Sequence, residues 1–368
     1  MVKKLNNDYS LLRKHRRFFY ATVLCLFIAL ILSACSNRQT PEGIFDNYLY
    51  RLHNSLEIDE KKLTLEPVLA EAISILPRYP KRSSLLHSIN TSSINLLEFL
   101  RLSQCDLQRH IGERNSSLGK LQKDSQRLIY DIEFIRLAKA CIEILEADKP
   151  LRNVLQSAVK DKQTQLPLLL WNATFASEEW VYLFSLSTNF ISAEQPPQKP
   201  NNLYEAFETL ERQIGGDKNL TRIDLSDFEA VLAIITSRKY LGELRRSMAL
   251  IQTGLSQADA LIKQRIDQRP LCRKSVPNAQ FAIVNNVFRK FYIGEVQPYL
   301  ASVYQQAEIS LQHIDQLLAL QTIPDTYHSF WLSVYKSDNS EWQKFKYSIQ
   351  NHTENWQALL KQCGRLPG

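Results

Sequence analysis

The sequence predicts an all-α, multi-helix bundle, arranged as one body or two lobes, behind an N-terminal export signal. Three observations carry this. Apolar residues recur at three- and four-residue spacing through most of the chain beyond residue 40. No stretch alternates apolar and polar residues as a half-buried strand would. Prolines and polar clusters cut the pattern into pieces of helix length.

The first element is the signal. Lys3, Lys4, Arg13, Lys14, Arg16 and Arg17 face one acid, Asp8, and the apolar run Phe18 to Leu32 follows. Fifteen helical residues rise about 22 Å, short of the roughly 30 Å of a hydrocarbon core. The run closes on Leu32-Ser33-Ala34-Cys35, a lipobox. Residues 1–34 are therefore expected to be cleaved and Cys35 to carry the acyl chains; the competing reading is an uncleaved signal anchor. Two or three chains, at about 0.8 kcal/mol per buried methylene, would make the attachment durable. Ser36, where inner-membrane retention commonly uses Asp, directs the chain to the periplasmic face of the outer membrane. The tether 35–40 is short: Ser36 to Thr40 spans at most about 17 Å.

Removing 1–34 leaves 334 residues, enough for an ample core. The formal charge of +7 falls to about +2, because the signal removes six basic residues and one acid. The basic character thus belongs mostly to the signal. No basic tract or nucleic-acid motif remains, so no nucleic-acid partner is expected.

The helices follow in order. Thr40-Pro41-Glu42 reads as an N-cap with Pro at the first helical position, opening a helix from Pro41 to about Leu56. A looser passage is expected next, ending in Leu76-Pro77-Arg78-Tyr79-Pro80. Helix resumes near Thr91, with Ile94, Leu97 and Leu102 on its apolar side. A polar turn leads to another from about Ser125, with Leu128, Ile132, Ile135, Ala138, Ile142 and Leu145 on one side. Beyond Pro150 a helix runs to about Thr164 and is broken at Pro167. The segment from Leu168 to Phe175, with Trp180, Tyr182 and Phe184, reads as a buried helix interrupted at Glu178 and Glu179. The Pro-rich stretch 192–202 divides an N-terminal helical half, 41–191, from a C-terminal half, 203–368. In the second half Leu241, Leu244, Met248, Ile251, Leu255, Ala258 and Ile262 mark a long bundle helix. Ile293, Val296, Leu300, Val303, Ala307, Ile314 and Leu317 mark another, kinked or restarted at Pro298. A last helix runs from Ser340 to about Lys361. The aromatic residues between Phe330 and Trp356 are read as core, with a partner groove or lipid contact as the alternative.

Four cysteines outlast the signal and the anchor: Cys105, Cys141, Cys272 and Cys363. An even number in an oxidising compartment suggests two disulfides, and four allow three pairings. Cys105 and Cys141 flank the turn 116–123 symmetrically, which sets them level on antiparallel helices. Cys105–Cys141 with Cys272–Cys363 is therefore preferred, against four buried free thiols. No two have finger-like spacing for zinc.

Several motifs fit one pattern: the lipobox, Leu96-Leu97-Glu98-Phe99-Leu100 leading to Cys105, Glu113-Arg114-Asn115-Ser116-Ser117-Leu118-Gly119-Lys120, and Leu170-Trp171-Asn172-Ala173-Thr174. Val296-Gln297-Pro298-Tyr299 and the ending Trp356 through Cys363-Gly364 belong to it too. Over the whole mature chain they resemble a family of bacterial lipoproteins catalogued only as a domain of unknown function. The resemblance implies no activity, cofactor or catalytic residue.

The most polar motif, Glu113, Arg114, Asn115, Ser116 and Ser117, is the candidate binding corner, for a sugar or peptide. The plainer reading is a hairpin corner built from caps and a glycine turn. No catalytic, cofactor or metal site is expected: the histidines are scattered and no nucleophile elbow occurs. The expected function is a non-enzymatic interaction or assembly module of the envelope, joined to the membrane by the Cys35 lipid and to an envelope-protein or cell-wall partner. The alternatives are a peptidoglycan-cleaving enzyme using Glu113 and a lipid-carrying helical protein.

Overall fold

The computed structural model describes residues 40–58, 64–90, 95–117, 119–145, 148–215, 220 and 223–365, and every regular element among them is helical. Cys35, the signal and the tether up to residue 39 lie outside the described residues. Helix α1 (Pro41–Leu56) starts as its sequence requires, with the Thr40 hydroxyl accepting from Gly43 N–H at 3.1 Å and Pro41 in the first turn. Its apolar stripe, including Phe45, Tyr48, Leu49 and Leu52, is buried. Helix α2 (Leu65–Ser74) fills part of what the sequence suggested was a looser passage. Its only fully buried side chains are Leu65 and Leu69, too few to advertise a face.

The short α3 (Arg82–Leu85) precedes α4 (Leu96–Arg101) and α5 (Asp106–Asn115). The expected start at Thr91, with Ile94, lies outside the described residues. Beyond it the expected single helix is two pieces, broken at Leu102–Cys105, and Leu97 points outward rather than into the core. Helix α6 (Asp124–Ile144) pairs along its length with α7 (Lys149–Ala173), and α5 packs on α6. Helix α7 continues through Pro167, where a break was expected. An interior proline costs about 3 kcal/mol. Burying Leu166, Leu169, Leu170 and Trp171 around it returns about 1.5–3 kcal/mol each, so burial prevails. Glu178 and Glu179 open a new helix, α8 (Glu178–Phe184), capped by Ser177.

Coil spans the Pro-rich stretch up to α9 (Asn201–Ile214), followed by α10 (Leu225–Ile235) and α11 (Tyr240–Gln268). Helix α11 is buried on nearly all sides, and α1, α2, α8, α13 (Gln297–Ala319) and α15 (Glu341–Lys361) pack around it. Helix α1 precedes the Pro-rich stretch in sequence yet lies against helices that follow it. Gly254 makes that approach close: a Cβ there would meet Phe45 Cδ1 at 2.2 Å. Contacts at Phe45–Gly254, Leu56–Arg265, Arg245–Glu341 and Asp259–His352 show that α1, α11 and α15 run in one direction.

Helix α12 (Ala279–Val287) continues through a π-helical stretch, Phe288–Val296, directly into α13, with Pro298 in its first turn. The wider turn shifts the register: Tyr292 and Val296 go inward, while Ile293, expected on the buried stripe, is 39% exposed. Helix α14 (Asp325–Trp331) and a second π-helical turn, Leu332–Lys336, lead into α15, capped by Ser340. Both disulfides, Cys105–Cys141 and Cys272–Cys363, are formed in the preferred pairing. No helix among the described residues is long and apolar enough to cross a membrane.

Candidate functional site

The corner at Glu113–Ser117 forms where α5 ends and the chain turns toward α6. The Ser116 hydroxyl donates to the Glu113 carbonyl at 2.7 Å and accepts from Gly119 N–H at 3.0 Å. The Arg114 guanidinium donates to the Gly119 carbonyl and lies 5.9 Å from the Tyr130 ring centroid. A side chain at Gly119 would sit 2.4 Å from the Arg114 carbonyl oxygen, so the turn needs glycine there. Two of the five polar residues, Arg114 and Ser116, therefore build the turn. Glu113, Asn115 and Ser117 are exposed.

Behind the corner, His110 stacks on Tyr130 with centroids 4.2 Å apart, and its Nε2 lies 3.0 Å from the Tyr130 carbonyl oxygen. His110 thus faces α6, not Glu113 along its own helix. Burial pushes the Tyr130 phenol up, aided by Asp131 and opposed by Arg114. Lys162 on α7 pairs with the buried Asp131 carboxylate.

Helices α5, α6 and α7 pack mainly on one another as a three-helix arm, and α4 lies at its other end, beside Cys141 and Asp148. Helix α6 alone is about 31 Å long at 1.5 Å per residue. Helix α4 buries none of its residues: Leu96 is 71%, Leu97 73% and Leu100 55% exposed. An Asn95–Glu98 capping box closes its own first turn, and it is tied to its neighbours by Arg101 pairing with Asp148 and by Gln108 Nε2 donating to the Phe99 carbonyl at 2.9 Å. The Cys105–Cys141 bond staples its base. The sequence did show these leucines, but helical spacing alone placed Leu97 inside.

The third cluster joins residues far apart in sequence. Asp259 Oδ1 accepts from His352 Nδ1 at 2.6 Å, and Oδ2 accepts from Asn351 Nδ2 at 2.6 Å. On the other side of the ring, Nε2 lies 3.0 Å from the Tyr48 hydroxyl. Trp356 Nε1 donates to the same hydroxyl at 2.9 Å. The order of carboxylate, imidazole and hydroxyl resembles a proton relay. Yet His352 and Tyr48 are both 0% exposed, so the cluster clamps α1, α11 and α15 together in the core. Burial pushes the Tyr48 phenol well above the ordinary tyrosine range. Arg245 and Glu341 make a second buried link, at 2.5 and 2.8 Å, and Arg245 also donates to the Pro77 carbonyl at 2.6 Å.

Among the described residues these features define an all-α, disulfide-bonded helical domain with a three-helix arm. The chain belongs to the family DUF3080, described as a protein of unknown function, whose model matches residues 45–367. No curated protein and no solved structure matches it.

Proposed function

We propose that this protein is a lipoprotein held at the periplasmic face of the outer membrane by acyl chains on Cys35, and that it acts as a non-enzymatic interaction or assembly module. The observation that carries the reading is the arm tip. Natural proteins rarely leave neighbouring leucines in water, and a contiguous apolar patch commonly marks an interaction surface. Leu96, Leu97 and Leu100 make such a patch on a helix that contributes no fully buried side chain to the core. The short tether adds support. Thr40 already caps α1 and Phe45 is already buried, so few residues separate Cys35 from the packed body. Glu113, Asn115 and Ser117, at the opposite end of the arm, are a second proposed contact.

The anchor and the tip are tested separately. Labelled palmitate should enter the wild-type chain and be lost, with membrane fractionation, in Cys35→Ser; unchanged fractionation removes the anchor. A photocrosslinker at Leu97 should capture one envelope component in intact cells, and Leu96→Ser with Leu100→Ser should abolish the capture. Those exposed substitutions should change stability by no more than about 0.5 kcal/mol. Capture that survives both serines rules out the tip. Glycan-strand cleavage lost in Glu113→Gln would replace the non-enzymatic reading altogether.

A further inference from the structure

A cleft opens where the coil before α9 passes the start of α11, and it encloses about 260 Å³. That is below the usual 300–1,000 Å³ of sites for drug-sized ligands, so the occupant must be small. Its charge is one-sided. Lys199 and Arg238 line it, and none of the described residues lining it is acidic. Arg238 shares its guanidinium with the buried Glu243 carboxylate and lies 5.8 Å from the Tyr240 ring centroid. Lys199 has no acidic partner among the described residues, and Glu194 on the same coil accepts instead from Gln198 Nε2 at 3.0 Å. Of the two cations, Lys199 therefore carries the uncompensated positive charge.

The rest of the lining sets the body of the ligand. Ser192, Asn202 and Ser237 line the wall. The Ser192 hydroxyl accepts from Glu194 N–H, Asn202 Oδ1 accepts from Leu203 N–H and the Ser237 hydroxyl donates to the Ile234 carbonyl. That leaves the Ser192 proton, the Asn202 amide N–H groups and the Ser237 oxygen to meet partner hydroxyls. Leu183, Ile191 and Leu203 supply a limited apolar surface for carbon. The floor is ordered from behind: the Tyr240 hydroxyl donates to Gln306 Oε1 at 3.1 Å, and Gln306 Nε2 donates to Ser302 Oγ at 2.9 Å. Such preordering lowers the entropic cost of binding.

We infer that the cleft binds a phosphate ester of a small polyol, the chemistry shared by free glycerol phosphate and by the headgroup of phosphatidylglycerol. The anion answers Lys199, with the Glu243-paired Arg238 beside it, the polyol hydroxyls answer the polar wall, and the three-carbon body fits the volume. This site is distinct from the arm tip and does not depend on the anchor. The test is calorimetric titration of the full-length chain in neutral detergent with four probes: glycerol 3-phosphate, glycerol, dihexanoyl phosphatidylglycerol and dihexanoyl phosphatidylcholine. At least one phosphate-bearing anion should bind tenfold or more tightly than its neutral or zwitterionic counterpart. Lys199→Gln, at an exposed position, should weaken that binding at least tenfold while the helical circular dichroism stays unchanged. Binding of the free ester marks a soluble source, and binding of the lipid alone marks a membrane source; both support the site. Equal binding of charged and uncharged probes, or binding indifferent to Lys199→Gln, overturns it.

Discussion

Single side chains decide how the helices of this core are held. Asp259 is buried on α11 and spends both carboxylate oxygens on α15, through His352 and Asn351. Tyr48 brings α1 to the same point through His352 and Trp356. A buried donor left without a partner costs about 1–3 kcal/mol. Asp259→Ala strands the His352 ring N–H and should lower unfolding stability by at least that amount for this donor alone, read from the urea midpoint. An unchanged midpoint would show that the clamp holds nothing. Catalysis is a poor account of these residues, because the hydroxyl, the ring and the indole close on one another and leave no side open to a substrate.

Connectivity matters more between elements. Helices α1, α11 and α15 run in the same direction, so no short loop can join them and the chain must return by long crossovers. The Cys272–Cys363 bond follows α11 and α15 at the same end, and it ties residues 91 apart in sequence. In the chain-entropy account, closing a loop of that length restricts the unfolded chain by about 4–5 kcal/mol. Replacing both cysteines by serine should cost a stability of that order, measured by guanidinium denaturation under non-reducing conditions. A loss under about 1 kcal/mol would mean that packing already holds the terminal helix. Cys105–Cys141 works at a different place, at the base of the leucine-bearing helix α4, and so fixes the arm tip rather than the core.

Over the whole molecule, the phenols report how well the core excludes water. Burial pushes Tyr48, Tyr79, Tyr240, Tyr299 and Tyr327 above the ordinary tyrosine range, and these residues come from every third of the described chain. The unfolded chain releases such protons near pH 10, while the folded one still holds them. Above that pH the folded state binds more protons, so its stability falls as pH rises; below it, the contribution is present in full. An alkaline titration should therefore show tyrosinate absorbance still rising well above pH 10. The buried set should ionise only with loss of helical circular dichroism. A single step near pH 10 with the helices intact would contradict this packing.

Local physics wrote much of this fold into the sequence. The Thr40-Pro41 start of α1, the long stripe of α11, the Ser340 cap of α15 and the level placement of Cys105 and Cys141 each depend on residues within a few turns of one another. Their periodicity, caps and spacing are legible without a third dimension. At the corner, the polar density of Glu113–Ser117 was legible, but the sequence could not say that Arg114 and Ser116 spend their groups on the turn. Tertiary structure alone decided the rest. Helix α7 passes Pro167 because neighbours bury the leucines beside it, and the π-helical stretch turns Ile293 outward so that Tyr292 can reach His352. Leu97 faces water because none of the described elements covers that side of α4. The clamp of Tyr48, Asp259 and His352, and the cleft between Lys199 and Arg238, join positions with no sequence relation. Which of its faces a helix buries is set by what lies beside it, and that is a property of the assembled chain.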